Sequence, residues 1–180
     1  MNYPFRDAVL SYALGGDARD FYEKMERLRE NYPPYVFYNS MNFLGTHDTE
    51  RVLSVLGSEE RVMIAAAVMF AFPGTPTVYY GDEAGLTGGK DPQNRRTYPW
   101  GHENERMLSY FRELGALRKS SAALRKGSIR YIKAEGGVLC FERALGEEKV
   151  MLAANTGDSE TEICGVEIPP LCAVIRRSER

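Results

Sequence analysis

Phe43-Leu44-Gly45-Thr46-His47-Asp48-Thr49-Glu50-Arg51 begins apolar and ends in turn formers and charges. The run from Asn42 to Thr46 suits a short strand buried on both faces, whose far end presents a histidine and a carboxylate side by side. Beyond it, Ser58-Glu59-Glu60 places acidic residues where the amino-terminal end of a helix favours them, and an apolar stretch follows up to Pro73-Gly74. That pattern predicts a buried helix. Thr75 to Tyr80 is β-branched and aromatic, and Pro73 and Pro76 fall at or before its start, where a strand tolerates them. Strand, helix, strand implies a parallel sheet with right-handed crossovers. Periodicity alone does not separate a (β/α)₈ barrel from a doubly wound sheet. In a barrel, catalytic residues stand at the carboxyl ends of strands, which is where His47 and Asp48 lie.

Outward from this unit, Asp17 to Glu30 carries Phe21, Tyr22, Met25 and Leu28 on one helical face and ends before Pro33-Pro34. Glu103 to Lys119 resumes helical spacing through Met107, Tyr110, Phe111, Leu114 and Leu117. The glycine-rich segment from Gly81 to Gly101 is longer than a mere connection needs, and long loops in compact domains are usually functional. The character changes near residue 126. From Gly127 onward, Ser128 to Lys133, Val138 to Arg143, Lys149 to Ala154, Thr161 to Ile168 and Leu171 to Arg176 read as short strands between turn formers. The expected fold class is therefore α/β plus all-β, with residues 1–126 in the first part and a small antiparallel sandwich over residues 127–180.

An apolar share of 43% is ordinary for a globular chain that buries a core. A formal charge of -2, without blocks of like charge, argues against nucleic acid as a partner. The longest apolar stretch, Val62 to Pro73, is too short to cross a bilayer, so no membrane association is expected. Cys140, Cys164 and Cys172 lack metal-like spacing and are expected to be buried thiols in a reducing compartment, which points to the cytoplasm.

The 43–51 segment resembles the fourth signature region of the α-amylase family of glycoside hydrolases, especially its neopullulanase, cyclomaltodextrinase and maltogenic-amylase branch. Met1-Asn2-Tyr3-Pro4-Phe5 resembles the sixth barrel strand of that family as it leaves the barrel, and residues 43–51 the seventh. Gly74-Thr75-Pro76-Thr77-Val78-Tyr79-Tyr80-Gly81-Asp82-Glu83-Ala84-Gly85 is similar to the eighth strand and the turn beyond it. Gly88-Gly89-Lys90-Asp91-Pro92-Gln93-Asn94-Arg95, ending at Pro99-Trp100, resembles the loop that holds the glucan on the non-reducing side of the cleaved bond. The resemblance implies the last three βα units of a (β/α)₈ TIM barrel followed by a carboxyl-terminal β-sandwich.

It also implies a retaining mechanism on α-1,4 or α-1,6 glucosidic bonds, with an aspartate nucleophile and a glutamate acid/base from the fourth and fifth strands. Retention needs two carboxylates about 5 Å apart, one attacking the anomeric carbon while the other protonates the leaving oxygen. Both are expected upstream of Met1, so the chain alone is expected to be inactive. Asp48 matches the family's third carboxylate, a transition-state stabiliser that hydrogen-bonds the distorted sugar. His47, Asp91 and Arg95 match substrate-binding positions, with an α-glucan, maltooligosaccharide or cyclodextrin as partner. A structural His47-Asp48 pair and an ordinary Asp91-Arg95 loop ion pair are the bland alternatives.

Arg51 reads either as a solvated charge or, as the resemblance implies, as a support behind the carboxylates. Asp82 and Glu83 read as turn residues, and Trp100, Tyr79, Tyr80 and Tyr98 as sugar-stacking or core aromatics. No cofactor or metal site is expected in this chain; the family often binds calcium, mainly through earlier parts of the barrel. A non-catalytic glucan-binding module or partner subunit is the competing reading. An open barrel edge is expected to invite homo-oligomerisation.

Overall fold

The computed structural model describes residues 1–178. The strand, helix, strand unit is present: β1 (Met41–Phe43) and β2 (Thr75–Thr77) lie in parallel, with Asn42 opposite Pro76. Both strands are shorter than the apolar runs that announced them. Beyond Phe43 the chain turns at once, the Thr46 amide donating to Thr49 Oγ1 at 2.9 Å and the Thr49 amide to Thr46 O at 3.2 Å. Gly74, at φ +113, is where β2 can come so close: a Cβ there would meet Ser40 O at 2.6 Å.

Met1 to Phe5 departs from the strand expected there. Asn2 caps a helix, α1 (Tyr3–Ala13), its side chain accepting from the Phe5 amide at 3.2 Å, and Pro4 suits the first turn of that helix. What remains of a strand is one backbone bond, from the Asn2 amide to Met41 O at 2.9 Å. Among the described residues the parallel sheet therefore holds two strands. Next comes α2 (Ala18–Asn31), capped by Asp17, with Phe21 and Met25 buried as the spacing requires. Pro34 opens a single further turn, α3 (Pro34–Phe37).

Two helices cross from β1 to β2. The first, α4 (Val52–Leu56), ends at Gly57 in the left-handed conformation. The second, α5 (Glu59–Ala71), begins at the Ser58 cap, and Met63 alone escapes full burial between Val62 and Ala71. A helix apolar nearly all round must be covered nearly all round. Its start is tied to α6 (Glu105–Ser120), where Arg106 Nη1 stands 3.3 Å from Glu59 and 2.7 Å from Glu60. At its far end Arg118, buried on α6, donates to Phe70 O at 2.6 Å, to Phe72 O at 2.8 Å and to Gly74 O. The short α7 (Ala122–Lys126) follows, capped by Ser121.

The remainder is antiparallel. β3 (Ser128–Glu135), β4 (Val138–Leu145) and β5 (Glu148–Asn155) form a sheet completed by the last strand, β8 (Cys172–Arg177), in the order β3-β4-β5-β8. β6 (Thr161–Ile163) and β7 (Val166–Ile168) form a separate hairpin. The run expected as one strand over Thr161 to Ile168 breaks at Cys164-Gly165, both with positive φ, the signature of a tight two-residue hairpin turn. This corrects the cysteine reading: Cys140 is buried, Cys172 is partly covered, but Cys164 is exposed at the hairpin tip.

One face of the sheet, through Leu139, Phe141 and Leu152, enters the same core as α1, α2 and α5, while the other packs Cys140 and Ala153 under Ile163, Val166 and Ile168. Phe72 stands at the junction, its ring 5.2 to 6.1 Å from those of Phe5, Phe21, Phe37 and Phe141. Arg143 on β4 reaches the end of α5 as well, donating to Ala71 O at 2.7 Å and to Gly127 O at 2.8 Å.

Candidate active site

The turn after β1 and the loop after β2 meet. His47 Nε2 lies 3.2 Å from Asp48 Oδ1, and Arg95 Nη2 approaches the same oxygen at 3.8 Å. Arg95 Nε stands 3.5 Å from Asp91 Oδ1 and donates to His47 O at 3.1 Å. All four residues singled out in the sequence, His47, Asp48, Asp91 and Arg95, thus form one exposed cluster at the carboxyl end of β1. Each side chain is about half open, between 46% and 62%. Exposed pairs of this kind contribute little to stability.

One-turn helical winding over Gln93–Arg95 turns Asn94 inward, and its Nδ2 donates to both His47 O and Thr49 O at 2.8 Å. Asn94 is not legible in the sequence, because a single polar residue in a polar loop carries no periodic signal. At Gly88 the loop is held through both its backbone groups, the Arg51 amide donating to Gly88 O at 3.0 Å and the Gly88 amide to the Ser54 hydroxyl at 2.9 Å.

Below the cluster, Arg51 is fully buried, which removes the solvated reading. Its guanidinium lies 3.2 Å from Asp82 Oδ1, donates to Tyr80 O, and packs over the Tyr79 and Tyr80 rings at 4.1 and 4.7 Å. Asp82 is therefore more than a turn residue: it is the buried partner of Arg51. Burial pushes its carboxyl up to about 7 against the opposing pull of Arg51. Gly45 gives it room, since a Cβ there would stand 2.5 Å from Asp82 Oδ2. Glu83 keeps the turn role, its Oε2 accepting from the Gly81 amide at 2.9 Å.

Of the aromatics, Tyr79 and Tyr80 cover Arg51, whereas Trp100 is 79% exposed with Tyr98 beside it at 4.5 Å. Among the described residues no group of three or more His, Cys, Asp or Glu side chains could hold a metal ion, and no helix is long and apolar enough to cross a membrane.

Residues 1–109 match the model of the α-amylase catalytic domain. The chain belongs to the α-amylase family. This α-amylase-family chain is 36% identical over 170 residues to the cyclomaltodextrinase of Geobacillus thermopakistaniensis, an alignment covering 91% of the chain and 29% of that protein. It is 35% identical over 187 residues to the amylopullulanase of Thermoanaerobacter thermohydrosulfuricus, covering 88% of the chain and 13% of that protein. The fold superposes on the cyclic α-maltosyl-(1→6)-maltose hydrolase of Arthrobacter globiformis with a TM-score of 0.92 at 30% identity, over 99% of this chain and 44% of that one. The α-amylase-family chain thus spans less than a third of the length of either of these two curated relatives.

Proposed function

We propose that this chain is the carboxyl-terminal part of a retaining glycoside hydrolase acting on α-1,4 or α-1,6 glucosidic bonds, and that it grips the glucan without cutting it alone. Residues 1–126 are the closing portion of the (β/α)₈ barrel, with β1 and β2 as its seventh and eighth strands, and residues 127–180 are the carboxyl-terminal sheet domain. The observation that carries this reading is the convergence of His47, Asp91 and Arg95 around Asp48 at a strand's carboxyl end. Asp48 accepts hydrogen bonds from sugar hydroxyls that tighten as the ring flattens toward an oxocarbenium ion, an effect worth several kcal/mol in such reactions. His47, Asp91 and Arg95 hold neighbouring hydroxyls. The nucleophile and acid/base come from the rest of the longer protein. We place that protein in a reducing cytoplasm, with its cysteines as free thiols.

Maltotriose is the probe. Titrated into the isotopically labelled 180-residue chain, it should shift the resonances of His47, Asp48, Asp91 and Arg95, and Arg95→Ala should abolish the response. Shifts elsewhere, or none, would remove the cluster from the glucan site. Pure chain incubated with maltotriose, cyclodextrin or pullulan should release no sugar; release would overturn its silence.

A further inference from the structure

We infer that Asn94 is the positioning residue of this site: by holding the backbone on both sides of Asp48, it sets where Asp48, His47 and Arg95 stand to meet a sugar. This rests on reading the cluster as a glucan site. Within the run from Asp91 to Thr97, Asn94 alone is buried, at 1% exposure, while its neighbours face outward. Its amide spends both hydrogens on the carbonyls that flank Asp48, those of His47 and Thr49. The next residue, Arg95, then reaches the same His47 carbonyl and the Asp48 carboxylate.

The exposed ion pairs cannot fix that arrangement, because solvent and side-chain entropy cancel most of their attraction. Two hydrogen bonds from the buried Asn94 amide can, since losing them leaves the Thr49 carbonyl without a donor and the His47 carbonyl with Arg95 Nε alone. Asn94 Oδ1 accepts nothing among the described residues, so the side chain serves as a donor only. An aspartate of the same shape would keep the packing while turning a charged oxygen toward those carbonyls in place of the donor.

The test compares the labelled wild-type chain with Asn94→Asp. In the wild type, the Arg95 Nε–H resonance should exchange slowly with water. In Asn94→Asp that protection should vanish and maltotriose affinity should fall about tenfold or more, with resonances outside the 45–51 and 86–98 segments unchanged. Retained protection and affinity would overturn the inference, and so would changes spread across the whole spectrum, which mark a merely structural residue. If the wild-type chain shows no response to maltotriose, the glucan reading fails, yet the Arg95 Nε–H comparison still decides whether Asn94 positions the cluster.

Discussion

At the scale of single residues, the buried Arg51–Asp82 pair makes a pH-dependent contribution whose sign is opposite to that of most carboxylates. An unfolded aspartate titrates at about 3.9, whereas folded Asp82 is raised to about 7, chiefly by burial. Between those values the folded chain holds a proton that the unfolded chain has released. Stability from this group is therefore fully present below about pH 4 and is lost as pH rises through about 7. Urea unfolding of wild type and Asp82→Asn across this window should show the wild type losing stability relative to the variant as pH rises; a constant difference would refute the assignment. The sequence made His47, Asp48, Asp91 and Arg95 visible because the strings around them resemble α-amylase-family motifs; a lone His-Asp or a loop ion pair would have read as structural. It hid the Asp82 partnership, since Arg51 and Asp82 belong to different segments and only folding brings them to 3.2 Å.

At the scale of elements, the carboxyl end of α5 is held by two buried guanidinium groups, Arg118 from α6 and Arg143 from β4. The last carbonyls of a helix lack partners within it, and cations there also favour its dipole. Arg118→Met keeps much of the side-chain volume but leaves three carbonyls unmet, and should destabilise the chain by about 3 kcal/mol, read as a lowered urea midpoint. The long helices were legible because their caps, Asp17 and Ser58, and their apolar spacing are local signals. α4, α7 and the β6–β7 turn were not, because such short elements carry too little pattern. The same locality explains Met1 to Phe5: Asn2 and Pro4 are helix-start signals that prevail over a strand with only one backbone bond to β1.

At the scale of the whole molecule, the helices and the sheet meet at Phe72, so the two halves of the chain should not unfold separately. Phe72→Ala should cost about 3 to 5 kcal/mol while leaving one unfolding transition, whether followed by aromatic or backbone signals; two transitions would show the halves to be independent. Among the described residues no further strand pairs with β1–β2: β1 carries only the Asn2 bond on its far side, and Met41 and Val78 are exposed beside the pair. Sheet edges left unpaired recruit further strands. Sedimentation should therefore show a mass that rises with concentration, and a constant monomer would rule out association through this edge.

The burial of α5 behind the two short strands has one more consequence. What keeps the chain folded lies beneath the rim that carries the His47–Asp48–Asp91–Arg95 cluster, and the rim itself consists of a turn and a loop fastened at Gly88 and Asn94. On the proposed glucan reading, a loop that keeps those two fastenings could carry other side chains at Gly89 and Lys90 without disturbing the helix beneath.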